Sequence, residues 1–150
     1  MKSTLTVCGR VGFLVASGFA LSACVTSSGV VVNPSAQRAV YKTAYVVVHG
    51  KDSQDMDAHL QRELLRHGIA VSVGPEGSAG TAQLIVRYSD DWRWDIKMYL
   101  RSFDVMVFDA KTNTLLATGS WENSALHGFY NEDKVVANVV DQTLSKISVQ

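Results

Sequence analysis

LRSFDVMVFDAKTNTLLATGSWE, Leu100–Glu122, is the stretch whose reading decides the fold. Leu100–Asp109 is dense in β-branched and aromatic side chains and reads as a long strand. Asp109–Thr114 (DAKTNT) has the composition of a turn, and Leu115–Glu122 reads as the strand that follows it. Along the first strand, Phe103, Val105 and Val107 share one face, and Asp104, Met106 and Phe108 share the other. A sheet covered on one side needs one apolar face, so a helical layer is expected against it.

The rest of the chain supplies that layer. Upstream, Ala82–Ser89 alternates with Leu84, Val86 and Tyr88 on one side. Gly74–Gly80 (GPEGSAG) is a loop, and Ile69–Val73 is a short strand or a loop edge. Met56, Leu60 and Leu64 recur at helical spacing, with Asp52 or Ser53 as a cap, Asp55 and Asp57 early, and Gly68 as a stop. Thr43–His49 (TAYVVVH) reads as a buried strand. Downstream, Asn131-Glu132-Asp133 opens a helix whose stripe is Val136, Val139, Val140, Thr143, Leu144 and Ile147. The order β-α-β-β-β-β-α predicts an α+β two-layer sandwich: a mostly antiparallel sheet of four or five strands with two helices on one face.

The first residues carry a different kind of information. Residues 1–23 hold Lys2 and Arg10, no acid, and an apolar run from Val11 to Leu21. A basic start, a short apolar run and small residues after it describe a secretory signal. The run is shorter than the roughly 20 residues a spanning helix needs. It ends in Leu21-Ser22-Ala23-Cys24, which resembles the lipobox of bacterial lipoprotein precursors. That resemblance implies cleavage between Ala23 and Cys24, diacylglycerol on the Cys24 thiol and a further acyl chain on the new amino terminus. Two or three chains suffice for stable anchoring where one is marginal. Cys8 leaves with the signal, so Cys24 has no partner for an intramolecular disulfide. Val25 stands where enteric lipoproteins carry an inner-membrane retention aspartate. The resemblance therefore implies a periplasm-facing anchor in the outer membrane. Val25–Val40 (VTSSGVVVNPSAQRAV) is small, polar and nearly uncharged, with Gly29 and Pro34 as breakers. It reads as a flexible tether joining the acylated residue to a domain spanning 41–150.

Charge narrows the function classes. Basic and acidic residues balance at 14 each; without Lys2 and Arg10, twelve bases face fourteen acids, a net charge of −2. Compartment and sign both argue against nucleic acid.

Asp90-Asp91-Trp92-Arg93-Trp94-Asp95 (DDWRWD) has the densest chemistry. As a glycosidase pair, Asp91 and Asp95 would stand about 13 Å apart along a strand, beyond the roughly 5–9.5 Å of known carboxylate pairs. As a ligand platform, Trp92 and Trp94 would share one face. As plain structure, the indoles point inward and Asp91, Arg93 and Asp95 outward, pairing with Lys97 or Arg101. The structural reading is preferred. The run Tyr88–Leu100 also looks like the W-x-W-D-x-x-x-Y segment of small uncharacterised proteobacterial lipoproteins, which have a strand hairpin after it and end in an amphipathic helix. That likeness implies fold and address and carries no chemistry.

Other constellations are weaker. His59, Glu63 and His67 lie on one helix face, but the outer histidines are about 12 Å apart along the axis, too far for one zinc ion. A solvated helix face is expected and no metal. Gly74–Gly80 leads into a strand and so lacks the helix amides of a phosphate cradle. Ser120 and His127 carry no mark of activation, and no G-x-S-x-G or H-E-x-x-H occurs. Neither a cofactor nor an enzymatic activity is expected. The remaining signal is the second sheet face: Ile85, Met106, Phe108 and Trp121, with Trp92 and Trp94, form the candidate docking face. Apolar residues there suit a partner or ligand surface. An envelope protein is the first expectation and a small apolar ligand the alternative.

Overall fold

The computed structural model describes residues 26–48, 54–126 and 128–149. Six strands and two helices follow in the order β1 (Ser27–Val32), β2 (Thr43–Val47), α1 (Met56–Arg66), β3 (Ala70–Gly74), β4 (Leu84–Trp94), β5 (Met98–Asp109), β6 (Leu115–Glu122) and α2 (Glu132–Ile147). The strands form one sheet in the order β1-β6-β5-β4-β2-β3. Its β1-β6-β5-β4 half is antiparallel, whereas β2 runs parallel to both β3 and β4. The α+β sandwich with two helices on one face is as the periodicity predicts, and Ile69–Val73 falls largely within a true strand.

The sheet has a sixth strand because Val30, Val31 and Val32 are not part of a flexible tether. Ser27–Val32 pairs antiparallel with Glu122–Ala117, and Val30 and Val32 pack against the core. Asn33 then ties the chain down through its amide nitrogen to the Leu116 carbonyl at 2.9 Å and its side-chain nitrogen to the Leu115 carbonyl at 2.9 Å. Arg38 donates to the carbonyls of Ser145 and Ser148, and Ala39 bridges to Ser148. Low charge and two breakers suggested a tether; three consecutive β-branched residues beside an open strand edge outweigh them.

Each helix end follows its local chemistry. Asn131 caps α2 by accepting a hydrogen bond from the Lys134 amide at 3.1 Å. Gly68, at φ 73°, ends α1, with the amides of Gly68 and Ile69 returning to the carbonyls of Leu65 and Leu64. Those two bonds are a Schellman stop. Asp52 and Ser53 lie outside the described residues; Asp55 is the residue preceding α1, and it makes no side-chain cap.

The core lies between the helices and the inner sheet face. Met56, Leu60 and Leu64 of α1 and Val136, Val139, Val140, Thr143, Leu144 and Ile147 of α2 are buried against Val46, Val86, Tyr88, Phe103, Val105 and Val107. Gly119 sets how closely α2 approaches. A Cβ there would run into the Thr143 hydroxyl and into a Val139 methyl group at 2.9 Å.

The His59-Glu63-His67 row is only in part the solvated face expected: Glu63 is buried and His59 half-buried, while His67 stays exposed. It lines the seam between α1 and α2: Glu63 is buried, and His59 Nδ1 lies 2.6 Å from the Asp133 carboxylate of α2. Arg62 also pairs with Asp133, and His67 sits 3.7 Å from Asp141 and 3.8 Å from Glu63. Glu63 is covered because Leu60 and Leu64, its neighbours, must turn toward the core.

Two predictions follow from this packing. Gly119→Ala should lower unfolding stability by about 1–3 kcal/mol through overpacking, read as a lower urea midpoint. Gly29→Ala, whose Cβ meets nothing within 4 Å, should not. The hydrogen bond from His59, helped by Arg62, holds the Asp133 carboxyl below its ordinary range. Its stabilising contribution is therefore complete at neutral pH and lost on acidification below about pH 4. Asp133→Asn should flatten the acid limb of a stability–pH curve, and an unchanged limb would refute the role given to this pair.

Candidate functional site

The helix-free face of the sheet is the expected docking face, and strand register decides what stands on it. Ile85 lies opposite Phe108, Arg87 opposite Met106, Ser89 opposite Asp104 and Asp91 opposite Ser102. Across the next ladder Met106 lies opposite Thr118, Asp104 opposite Ser120 and Ser102 opposite Glu122. Strand β1 adds Ser27, Gly29 and Val31 to the same face. Alternation thus brings together Ile85, Met106 and Phe108, three of the six residues expected there.

The other three are on the opposite face. Trp121 pairs with Phe103, points into the helical layer, and is only 7% exposed. Its ring meets Tyr130 edge-on at 5.6 Å. The signal that could have placed it is the polar alternation Thr118, Ser120, Glu122, which leaves Ala117, Gly119 and Trp121 for the core. Trp92 and Trp94 continue the inward parity of Leu84, Val86 and Tyr88, so they share a face as expected but not the open one. Trp92 packs on the core edge and donates its indole N–H to Asp90 at 2.7 Å. Trp94 has the inward parity but lies beyond the helices, where it is 72% exposed.

The charged residues of DDWRWD pair differently from the expectation. Arg93 binds Asp91 at 2.9 Å, within its own strand. Arg101 turns to Glu122 at 2.9 Å and to the carbonyls of Asn123 and Ser124. The cause is a register shift between Asp91 and Trp92, which leaves Arg101 without an opposite residue and re-aims it. Asp91 and Asp95 are not brought into a facing pair by any fold in β4, which continues from Leu84 to Trp94.

The open face has two unlike halves. Toward β2 and β3 it is roofed by the segment after β3: Tyr45 is buried and donates its hydroxyl to the Pro75 carbonyl at 2.8 Å. Gly74 is required there, because a Cβ would occupy the place of the Tyr45 hydroxyl. Glu76 crosses to Arg87, whose two contacts are 2.5 and 3.2 Å, and the Arg87 guanidinium lies 4.4 Å from the Phe108 ring centroid. A charged strap therefore covers Phe108, which is why Ile85, Met106 and Phe108 are half-buried and not fully exposed. Toward β1 the face is open and polar. Ser27, Asp91, Arg101, Ser102, Asp104, Ser120 and Glu122 line a depression of about 380 Å³. Val31 stands beside it at 75% exposure.

Among the described residues no group of three histidine, cysteine or carboxylate side chains is placed to hold a metal ion. Among them, too, no helix is long and apolar enough to cross a membrane. Ser120 directs its hydroxyl toward the Gly29 carbonyl at 3.4 Å. Ala23, Cys24 and His127 lie outside the described residues. The void enclosed by Leu60, Leu64, Val86, Val105, Val107, Val140, Thr143 and Leu144 is about 10 Å³, far below what an apolar ligand needs.

No protein-family model and no curated protein sequence matches the chain. Solved structures do share its fold. The PelC dodecamer from Paraburkholderia phytofirmans matches in space group P6 with a TM-score of 0.58 and, as a point variant in C2, with 0.57. Each is 14% identical and covers 84% of this chain and 100% of that one. A minor lipoprotein from Acinetobacter baumannii matches at a TM-score of 0.37 and 15% identity, over 72% of this chain and 91% of its own. At these identities the PelC likeness concerns the fold: the chain has the two-layer α+β architecture of PelC.

Proposed function

We propose that the chain is a lipid-anchored protein of the bacterial envelope, tethered through acylated Cys24 in the outer membrane and facing the periplasm. In this reading it is a non-catalytic interaction module that docks an envelope protein on its open sheet face. The anchor rests on Leu21-Ser22-Ala23-Cys24 behind a basic start and an apolar run. Two or three acyl chains hold such a protein to the bilayer without a spanning helix.

The observation that carries the docking reading is the β1 side of the sheet. Ser27–Val32 has no charged residue and no proline, and among the described residues no strand pairs with its outer edge. Such an edge offers a row of backbone donors and acceptors to an added strand. The exposed Val31 and the acidic, hydroxyl-rich depression next to it supply side-chain contacts for a partner carrying basic and apolar groups. The 10 Å³ interior void leaves no room for a small apolar ligand within the core, which favours a protein. The PelC structures of this fold are dodecamers, so a second copy of the chain is one of the partners to be distinguished.

Two measurements test this. Cys24→Ala should leave a precursor that keeps its first 23 residues and gains no acyl mass; a variant that still matures and is acylated would refute the anchor. Photo-crosslinking in cells from Val31 should give a discrete adduct that is absent from Lys146 on the helix side. Mass spectrometry of that adduct would distinguish another envelope protein from a second copy, and no adduct from Val31 would rule out this face as the docking site.

A further inference from the structure

We propose that this chain carries a second membrane contact besides its lipid. The β4–β5 hairpin tip (Trp94, Ile96, Met98) and the adjacent Leu126, Phe129 and Tyr130 sit in the interface of the bilayer that holds Cys24. The inference rests on the acylation reading above and adds the orientation of the domain.

The tip is a concentration of apolar surface turned to water. Ile96 is 85% exposed and Leu126 77%, and Trp94, Met98, Phe129 and Tyr130 are exposed as well. These side chains are held outward by structure. Trp94 lies opposite Met98 in the ladder, Tyr99 meets Phe129 edge-on at 6.0 Å, and Tyr130 is fixed against buried Trp121. Asn123 anchors the segment's start by donating to the Leu100 carbonyl at 3.0 Å and to the Gly128 carbonyl at 2.8 Å. Tryptophan, tyrosine and phenylalanine with aliphatic neighbours are the side chains that settle at a membrane–water interface.

Charge complements this depth. Lys97 lies over the Phe129 ring at 4.7 Å, a position from which its ammonium reaches headgroup phosphates while its stem stays apolar. Asp90 and Asp91 are drawn back from the tip, the first by the Trp92 indole and the second by Arg93. Asp95 stands on the turn itself, which restricts the contact to the headgroup region and keeps it out of the hydrocarbon.

Chain connectivity makes the bilayer the occupant. Ser27, the first residue of β1, is opposite Glu122, and Glu122 is opposite Ser102. The amino-terminal end of β1 therefore opens on the same end of the sheet as the hairpin tip. Met98 extends four residues beyond Ser102, about 13 Å at strand rise. Cys24 precedes Ser27 by three residues, a reach of about 10 Å. An acyl group on Cys24 can thus bring the bilayer to within a few ångströms of the level of Trp94 and Ile96. The long tether expected from Val25–Val40 would not have done so; the pairing of Ser27–Val32 in the sheet does.

The experiment reconstitutes the full chain, produced in a bacterial host, into phosphatidylethanolamine–phosphatidylglycerol vesicles with dibrominated acyl chains, and measures tryptophan quenching. Native protein should be quenched, and Trp94→Phe and, separately, Ile96→Asp should each reduce the quenching by about twofold with the acyl mass on Cys24 unchanged. Acylated protein in which Trp94→Phe leaves quenching unaltered overturns the tip while the anchor stands. Quenching at Trp94 without acylation overturns the anchor while the tip stands. A Trp94 shielded from both brominated lipid and aqueous acrylamide would show a protein or a second copy on the tip, and would also overturn the proposal.

Discussion

The close approach of α2 to Gly119 is the contact on which the layer arrangement depends. Without a Cβ at that position, Thr143 and Val139 can sit directly on β6, and Val136, Val140 and Leu144 then reach Phe103, Val105 and Val107. Closely packed interiors leave little freedom for such an approach to vary. Once α2 is seated, α1 has one place left beside it, and the seam is closed by Glu63 and by the histidine–aspartate contacts at His59 and His67. The inner face of the sheet is thereby assigned, and every other strand residue is turned outward.

That assignment governs what the molecule can offer. The outward residues are not uniform, because the segment after β3 folds over Tyr45 and sends Glu76 to Arg87, closing the apolar middle of the sheet. The surface left open is the β1 side, with an uncharged strand edge, Val31 and a polar depression. At one end of the same sheet, β4 and β5 run on beyond the helices and carry Trp94 and Ile96 into water. The first arises at a strand edge that no described strand pairs with and the second where strands extend past the helices, and the proposed partner and membrane contacts use those two places.

Element types were readable because their apolar periods are clean. The stripe Val136–Ile147 at helical spacing and the alternation around Phe103–Phe108 each have one face that must be buried, and both were placed correctly. Within the expected tether, Ser27–Val32 is a strand, because composition reports loop character without reporting what lies alongside. Val30 and Val32 become strand residues only because β6 presents an edge and a hydrophobic border to cover. Trp121 lies on the inner face for a related reason: its parity is that of Gly119 and Ala117, which the core covers.

The sequence by itself determined the two helices and the alternation of the central strands, because these are local patterns imposed by side-chain chemistry and by the periods 2 and 3.6. Only the tertiary structure decided that Ser27–Val32 join the sheet, and that Trp94 and Trp121 part company. It also decided that the β1 start and the hairpin tip share one end. Those outcomes depend on strand order, on the register shift at Asp91–Trp92 and on which edge lies open, and these are set by contacts between segments far apart in the chain.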